Sequence, residues 1–367
     1  MKNTKTVTLE EICEKGSSSI AQNEIENNFG TYPIYGAAGF IKNVDFYKSD
    51  KPYIGIVKDG AGVGRVSIHP EMSSLIGTMQ YIFPNENVDI NYLAEFLKSQ
   101  NLGRFYTGAT IPHIYFKDYK SIKLNLPSLE NQRYIAEKFC KCHEIIKKHK
   151  LLLDKYDILI KSRFIEMFGD PVKNEKGWEI SELGKQCSEV RYGTSKPAVE
   201  NGKYPYLRMN NITYEGQLDL NNLKYIDIPD TELQKCQVRK GDILFNRTNS
   251  IDLCGKTCLF NLDIPMIIAG YIIRVRLNEK LNPHYVSTFF NTKSIKKLLR
   301  EMAKGAVNQA NINAQEMQAI QIPVPPIELQ NDFASFVQQI DKSKFAVQKS
   351  LEKAEILYKS LMQEYFG

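Results

Sequence analysis

The stretch IKLNLPSLENQRYIAEKFCKCHEIIKKHKLLLDKYDILIKSRFIEMFG, residues 122–169, has a second copy in this chain, IQIPVPPIELQNDFASFVQQIDKSKFAVQKSLEKAEILYKSLMQEYFG, residues 320–367. The copies align without a gap at an offset of 198 residues (320 − 122), and 14 of the 48 paired residues are identical. Such a match is difficult to obtain by chance, so we interpret it as an internal repeat rather than as two unrelated amphipathic helices.

Each copy has the apolar spacing of a coiled-coil helix. Steps of four and three residues select Ile135, Phe139, Cys142, Ile146, His149, Leu153, Tyr156, Ile160, Arg163 and Met167 in the first copy, and Phe333, Val337, Ile340, Lys344, Val347, Leu351, Ala354, Tyr358, Leu361 and Tyr365 in the second. Proline lies just before each helix and glycine ends it, which agrees with this period. A helix of about 39 residues would be roughly 58 Å long.

The segments before the two helices are loosely parallel and mixed in pattern. The stretches 53–57 and 267–277 are rich in β-branched residues and predict strands, whereas 91–99 and 283–300 predict helices. The predicted fold class is therefore α+β, with two mixed α/β domains separated by two long antiparallel coiled-coil helices in a pseudo-twofold repeat. The predicted boundaries are 1–128 for the first domain, 129–172 for the first helix and linker, 173–327 for the second domain, and 328–367 for the second helix.

Composition sets broad limits on the class of protein. The chain has 367 residues, 43% of them hydrophobic, with seven cysteines and a net charge of +6. It has no apolar run near 18 residues and no hydrophobic N-terminal signal, so we expect a soluble, cytoplasmic protein with no membrane partner. An odd number of cysteines without framework spacing fits a reducing compartment. The mild positive charge permits nucleic-acid binding without by itself indicating it.

Four apparent catalytic or metal motifs are incomplete. Asn-Pro-His-Tyr at 282–285 lacks the second proline of an adenine methyltransferase loop, and Gly-Lys-Thr at 255–257 has Ser250 where a phosphate-binding loop needs glycine. Cysteines and histidines at 140–149 lack the paired spacing of a zinc site. No Glu-x-Lys half of a common nuclease core occurs. We therefore expect a non-catalytic chain without a metal or a cofactor of its own.

Several motifs resemble those of one known family. The segments IPVPPIELQ (322–330) and LNLPSLENQ (124–132) are similar to the signature that follows each target recognition domain in the specificity subunits of Type I restriction-modification systems. GDILFNR (241–247), GTSKPAVENGKYPYLRMNNI (193–212) and GAVNQANI (305–312) resemble patterns inside those domains. The resemblance covers nearly the whole chain, and the duplication of the proline-to-glutamine motif ahead of two equal helices makes it specific.

The resemblance implies an architecture and a set of partners. In that family two antiparallel helices form a rod that holds two recognition domains at opposite ends, and each domain reads half of a split sequence in double-stranded DNA. A rod of about 58 Å corresponds to roughly 17 base pairs. The partners implied are two methyltransferase subunits and restriction subunits that translocate DNA and cut it. S-adenosylmethionine, ATP and Mg²⁺ are expected on those partners, and outward-facing helix residues such as Lys147, Lys148, Glu352 and Lys359 are candidates for binding them.

Residues that can contact DNA lie in predicted loops of both domains. Arginine can bridge guanine O6 and N7, asparagine can bridge adenine N6 and N7, and Ser, Thr and Lys suit phosphates. The candidates are Lys58, Arg65 and Arg104 in the first domain, and Arg191, Tyr192, Thr194, Ser195, Lys196, Arg208, Asn210, Asn211, Arg247, Asn249 and Gln309 in the second.

Two alternative functions remain open from the sequence. The chain could be the recognition subunit of a related system that combines cutting and methylating in one polypeptide, or a two-headed coiled-coil adaptor that does not bind DNA. Salt-dependent binding to duplex DNA separates the adaptor from both recognition functions.

Overall fold

The structure is a computed structural model that describes residues 5–108, 112–303 and 310–367. The candidate Gln309, and most of the GAVNQANI segment with it, lies outside the described residues. Contacts divide the chain into two compact units. The first comprises the described residues up to Lys150 together with Lys349–Gly367, and the second comprises Leu151–Gln348.

The first unit is built on a mixed set of short strands and helices. Its strands are β1 (Lys5–Thr8), β2 (Cys13–Ser17), β3 (Tyr32–Gly36), β4 (Gly39–Val44), β5 (Tyr53–Val57), β6 (Val66–His69), β7 (Ser74–Leu75), β8 (Met79–Pro84) and β9 (Lys123–Leu126), and its short helices are α1 (Leu9–Ile12), α2 (Ile90–Ser99) and α3 (Phe116–Tyr119). The sheets have the strand orders β2-β8-β5-β6, β4-β3-β7 and β1-β9. A long helix follows, α4 (Leu129–Phe168).

The second unit repeats this plan. Its strands are β10 (Ile180–Glu182), β11 (Cys187–Tyr192), β12 (Tyr204–Leu207), β13 (Lys224–Ile226), β14 (Gln237–Val238), β15 (Ile243–Asn246), β16 (Thr248–Asn249), β17 (Thr257–Leu259), β18 (Met266–Ile268), β19 (Ile272–Leu277), β20 (Ala310–Asn311) and β21 (Gln321–Pro323). Its helices are α5 (Asp230–Cys236), α6 (Pro283–Phe290), α7 (Lys293–Met302) and α8 (Ala314–Gln318), and the chain ends in α9 (Ile327–Phe366).

The strand orders show that the two globular segments share one topology. The sheet β11-β19-β15-β17 corresponds to β2-β8-β5-β6, the sheet β13-β12-β18-β14 contains the counterpart of β4-β3-β7, and β10-β21 corresponds to β1-β9. The sheets β4-β3-β7 and β13-β12-β18-β14 each contain one parallel pair of strands, β3 with β7 and β12 with β18. The predicted α+β class and the internal repeat are therefore confirmed.

Two predicted elements are interrupted in the structure. The β-branched stretch 267–277 forms two strands, because the chain turns at Gly270 between Ile268 and Ile272. The helical stretch 283–300 forms two helices, because Thr292 leaves the helix and its side chain accepts a hydrogen bond from the Ile295 N–H to cap α7. The strand at 53–57 and the helix at 91–99 are confirmed.

The long helices match their prediction closely. Each has 40 residues, which corresponds to about 60 Å, and all twenty residues selected by the apolar period are buried or half-buried. Within the first unit, Lys138 of α4 donates to the Tyr365 hydroxyl of α9 at 2.7 Å, and His143, further along α4, packs against Tyr358 of α9 with ring centroids 4.9 Å apart. The two helices therefore run antiparallel there.

The same orientation holds within the second unit. The ring centroids of Phe164 in α4 and Phe333 in α9 are 5.6 Å apart. Closer to the middle of each helix, Lys344 Nζ donates to Asp157 Oδ1 at 2.6 Å. In this unit as well, ascending residue numbers in α4 face descending numbers in α9.

The duplicated proline-to-glutamine motif has the same structural role in both copies. Gln132 and Gln330 are buried, and each side-chain oxygen accepts a hydrogen bond at 2.8 Å from the backbone N–H of the residue that caps the next helix, Asp89 before α2 and Asn282 before α6. Each side-chain amide also donates to the carbonyl of the proline five residues before it, Pro127 at 2.9 Å and Pro325 at 2.8 Å. The glutamine thus joins the start of each long helix to its own globular segment, which explains why both copies retain it.

A helix long and apolar enough to cross a membrane does not occur in the part of the chain that the structure describes.

Candidate nucleic-acid interface

Polar loops of the second unit converge on an open cleft. The cleft has a volume of about 1230 Å³ and lies beside the ends of β11, β12 and β15 and the turn between β18 and β19. Seven of the predicted residues line it, namely Tyr192, Thr194, Ser195, Lys196, Arg208, Asn210 and Arg247. The structure therefore brings together seven of the eleven residues that the sequence predicts as DNA contacts in this domain.

Backbone pairing explains why these loops meet. Strand β12 runs parallel to β18 with Leu207 opposite Ile268, so the chain segments that leave both strands start side by side. Gly193 allows the loop after β11 to approach them, because a Cβ at this residue would lie 2.1 Å from the Ile268 carbonyl oxygen. The Tyr206 hydroxyl then donates to the carbonyl of Lys196 at 3.0 Å and holds that loop in place.

Arg247 is the most strongly positioned cation of the cleft. Its Nε donates to the Gly270 carbonyl at 3.1 Å, and its guanidinium carbon lies 5.0 Å from the centre of the Tyr192 ring. The Tyr192 hydroxyl accepts a hydrogen bond from the Ala314 N–H at 2.9 Å, which fixes the ring. Cation–π contact and the hydrogen bond together orient the guanidinium.

Other cations at or near the cleft are partly neutralised by carboxylates. Lys196 lies 2.8 Å from Glu232, and Arg191, just outside the cleft lining, lies 3.2 Å from Glu189. Both pairs are at least partly exposed, so each contributes little to stability, and each cation can exchange its carboxylate for a phosphate.

A buried lysine holds the segment 208–210 in place. Lys256 donates to the Met209 carbonyl at 2.8 Å, and burial lowers the pKa of this amine. Arg208 donates to the Asn222 carbonyl at 3.2 Å, while its buried Nε has no hydrogen-bond partner within the described ranges. Asn210 is exposed at the rim.

The three candidates of the first unit also lie close to one another. Lys58 and Arg65 flank the loop between β5 and β6, and Arg104 lies in the turn after α2. This loop and this turn are in contact, since a Cβ on Gly64 would lie 2.2 Å from the Gly103 nitrogen. Arg65 donates to the Ala37 carbonyl at 2.9 Å, which brings the β3–β4 hairpin to the same place.

Comparison with known proteins places this architecture in a family. The model of the Type I restriction modification DNA specificity domain matches residues 1–155 and 175–358. This chain belongs to that specificity-domain family. Both matched ranges contain one globular segment and most of the long helix that follows it.

Individual relatives agree with the family assignment. The chain is 28% identical over 193 residues to the putative type I restriction enzyme MjaX specificity subunit of Methanocaldococcus jannaschii, covering 52% of this chain and 45% of that protein. It is 23% identical over 304 residues to the type I restriction enzyme EcoKI specificity subunit of Escherichia coli K12, covering 76% and 64%. The matches thus span about half to two thirds of the length of these curated relatives.

Solved structures show the same fold. The crystal structure of a Type I restriction-modification S subunit from M. genitalium superimposes with a TM-score of 0.65 at 16% identity, covering 100% of this chain and 96% of that one. A chain from a study of complex assembly in the type I restriction-modification system gives 0.55 at 17% identity, covering 100% and 98%. At these identities the similarity establishes the fold alone.

In this member of the specificity-domain family, some predicted contact residues have internal partners. Asn211 is 2% exposed, and its side chain accepts from the Arg208 N–H and donates to the Asp219 carbonyl. Thr194 is buried, and its hydroxyl accepts from the Lys196 N–H. Asn249 lies in β16, outside the cleft lining, and its side chain accepts from the following N–H. These residues shape the loops, and their contact with DNA stays a prediction.

Among the residues lining the cleft that the sequence did not predict, two have exposed polar side chains that can contact DNA. Tyr271, 48% exposed at the tip of the β18–β19 turn, and Lys235 in α5 both line it. The sequence signal that could have identified Tyr271 is the preceding Gly270, which favours a turn. The stretch 267–277 was instead predicted as one continuous strand, so the turn was missed.

Proposed function

We propose that this chain is the DNA-specificity subunit of a Type I restriction-modification complex, and that its two domains read the two halves of an asymmetric, gapped DNA target. The observation that carries the proposal is a duplicated fold in which the candidate DNA-contacting loops differ while the helices keep identical exposed residues. Two domains that share a framework and differ in their loops can read two different half-sites. Two helices that present the same exposed residues can bind two copies of the same partner.

The identical exposed residues lie on both long helices. One pair, Glu130 and Glu328, lies in the first turn of each helix. The other five lie in the second half of each helix and are Lys155 and Lys353, Ile158 and Ile356, Leu159 and Leu357, Ser162 and Ser360, and Glu166 and Glu364. We call the ten residues of these last five pairs the duplicated patch. Ile158 and Ile356 are 62% and 63% exposed, and each lies beside an exposed leucine; adjacent exposed apolar side chains are typical of an interaction surface.

The duplicated patch supports the proposal that two methyltransferase subunits bind, one on each copy. Apolar residues that recur on an outer helix face favour packing of a further helix into a bundle. The charged candidates Lys147, Lys148, Glu352 and Lys359 are also exposed, which fits a polar rim around such contacts.

In this proposal the chemistry belongs to the partners. The methyltransferase subunits would transfer a methyl group from S-adenosylmethionine to adenine, and restriction subunits would use ATP and Mg²⁺ to translocate and cut DNA. This chain would select the sequence, and the length of α4 and α9 would set the number of base pairs between the half-sites. Recognition in a combined cutting-and-methylating polypeptide would leave these residue roles unchanged and alter only the partner.

Salt dependence tests DNA binding against the adaptor alternative. We expect the affinity of the full chain, assembled with its methyltransferase, for duplex DNA to fall steeply with salt, because each phosphate neutralised contributes a slope of about −0.9 in log K against log salt. A slope of about −4 or steeper, measured by fluorescence anisotropy from 50 to 200 mM salt, is the expected result for a cleft of this charge. Binding that is absent or insensitive to salt would support the adaptor instead.

A further inference from the structure

Lys58 and Arg247 occupy the same structural position in the two units. In the first unit Val57, the last residue of β5, pairs with Met79, the first residue of β8. In the second unit Asn246, the last residue of β15, pairs in the same way with Ile272, the first residue of β19. The residues that follow β5 and β15 are therefore equivalent. They are Lys58 after β5 and Arg247 after β15.

The backbone hydrogen bonds of the two residues confirm the equivalence. Each N–H donates to a carbonyl in the turn before the neighbouring strand, and each carbonyl accepts from the segment that closes the globular domain. The bonds are Lys58 N–H to Thr78 O at 2.9 Å and Ile114 N–H to Lys58 O at 2.9 Å in the first unit, and Arg247 N–H to Tyr271 O at 3.0 Å and Ile312 N–H to Arg247 O at 2.8 Å in the second.

Both domains therefore place a cation at one point of a shared framework. The Lys58 amine lies 3.9 Å from Asp59, a weak and partly exposed contact. No carboxylate lies within 4.0 Å of the Arg247 guanidinium in the part of the chain that the structure describes. A cation that keeps its charge unpaired beside an open cleft is available to a ligand of opposite charge or to a hydrogen-bond acceptor.

The environment of Arg247 selects one edge of its guanidinium. Nε is bound to the Gly270 carbonyl and one face lies against Tyr192, so within the described residues the two terminal amino groups are the donors of this guanidinium left for a ligand. Two parallel N–H donors in a fixed plane match guanine O6 and N7, and a pre-oriented side chain loses little entropy on binding.

We propose that Lys58 and Arg247 are equivalent base-reading positions, one for each half-site, and that Arg247 donates both terminal amino groups to the O6 and N7 atoms of a guanine. Tyr192 is a positioning residue, because it orients Arg247 through its ring. This inference rests on the proposed function, since it assigns a base to one site of that function.

The test compares sequence preference in the complete complex with methyltransferase, read from binding to a randomised duplex library. For Arg247→Lys we expect discrimination at one G·C pair of a single half-site to fall about tenfold to a hundredfold, because lysine keeps the charge and loses the planar pair of donors. Arg239→Lys is the matched control, since Arg239 is exposed in the same unit but lies outside the cleft lining, and its preference should equal that of the unaltered complex.

The equivalent residue provides a reciprocal test. Lys58→Ala is expected to reduce discrimination in the other half-site and to leave the half-site affected by Arg247→Lys unchanged. Tyr192→Phe should retain most of the preference, because it keeps the ring that contacts Arg247 and loses only the hydrogen bond from the Ala314 N–H, whereas Tyr192→Leu removes the ring and should lose more.

The possible failures are distinguishable. If the unaltered complex shows no sequence preference, the proposed function itself fails. If the unaltered complex shows a sequence preference and Arg247→Lys keeps it at every base pair, Arg247 does not contact a base, and this inference is overturned. If Arg247→Lys weakens binding to all sequences equally, Arg247 contacts a phosphate, and the inference is overturned as well. If Lys58→Ala and Arg247→Lys affect the same half-site, the equivalence is wrong.

Discussion

Replacing Ile158 and Ile356 together by glutamate is expected to abolish methyltransferase binding by a chain that still folds. Both side chains are more than half exposed, so the substitutions should change the stability of the chain alone very little. In a bound complex each carboxylate would be buried without a partner in an apolar contact, and we expect a loss of about 2–4 kcal/mol of binding free energy at each site.

The number of methyltransferase subunits bound to each variant is the most specific test of this prediction. Because the two residues occupy equivalent positions in separate copies of the repeat, each single variant should retain one methyltransferase and the double variant none, as counted by native mass spectrometry. Ile264→Glu is the matched control, since Ile264 is an isoleucine of similar exposure, 58%, that lies outside both long helices. Two bound methyltransferases in the double variant would contradict the role of the duplicated patch.

Replacing Glu189 by glutamine is expected to destabilise the second unit by about 3 kcal/mol, because it removes the carboxylate partner of a buried charge. Glu189 Oε2 accepts from Arg274 at 2.8 Å and from Arg276 at 2.6 Å, and Arg274 is 0% exposed. In the variant, the Arg274 guanidinium would keep the backbone carbonyls of Gln234 and Gln237 and could gain a neutral amide oxygen as acceptors, but it would lose the charge of its carboxylate partner. Urea unfolding followed by circular dichroism measures the loss.

The pH dependence of this loss has a definite sign. Burial raises the pKa of Glu189, but the hydrogen bond from Arg191 and the charges of Arg274 and Arg276 outweigh it, so the pKa lies below its ordinary value. The stabilisation is therefore present above the pKa of the unfolded chain, about 4.3, and is lost as the pH falls through the folded value. The difference between the unaltered protein and Glu189→Gln should narrow in that range.

The control for Glu189 is a similar change at a surface pair. Glu182 lies 3.5 Å from Lys185 with half of its side chain exposed, and Glu182→Gln should cost about 0.5 kcal/mol or less. If both glutamine variants unfold at the same urea concentration, the buried ion network does not stabilise the second unit as described.

The helical half of the fold follows from the sequence because its signal is periodic and repeated. A seam of twenty residues at fixed spacing constrains two helices far more strongly than any single residue does, and all of those residues are buried or half-buried. The breaks at Gly270 and Thr292 were missed because each lies inside a favourable run and depends on local turn and cap geometry.

The cleft was predictable as a set of loops and unpredictable in its individual roles. Residue type identified Arg247 and Arg208 as possible donors, and the structure places both at the cleft. The same reasoning could not foresee that the Asn211 side chain bonds to its own loop, or that Glu232 lies beside Lys196, because these contacts join residues distant in sequence or depend on exact turn geometry. The equivalence of Lys58 and Arg247 required the strand register.

The assignment of this chain as a DNA-specificity subunit is tested most directly by mapping methylated adenine across the genome of a host that expresses this chain with its neighbouring methyltransferase, and comparing it with a host that carries the methyltransferase alone. We expect methyl-adenine at an asymmetric, gapped sequence only when this chain is present. No new methylation, with an active methyltransferase and an assembled complex both demonstrated, would contradict the assignment of this chain as a DNA-specificity subunit.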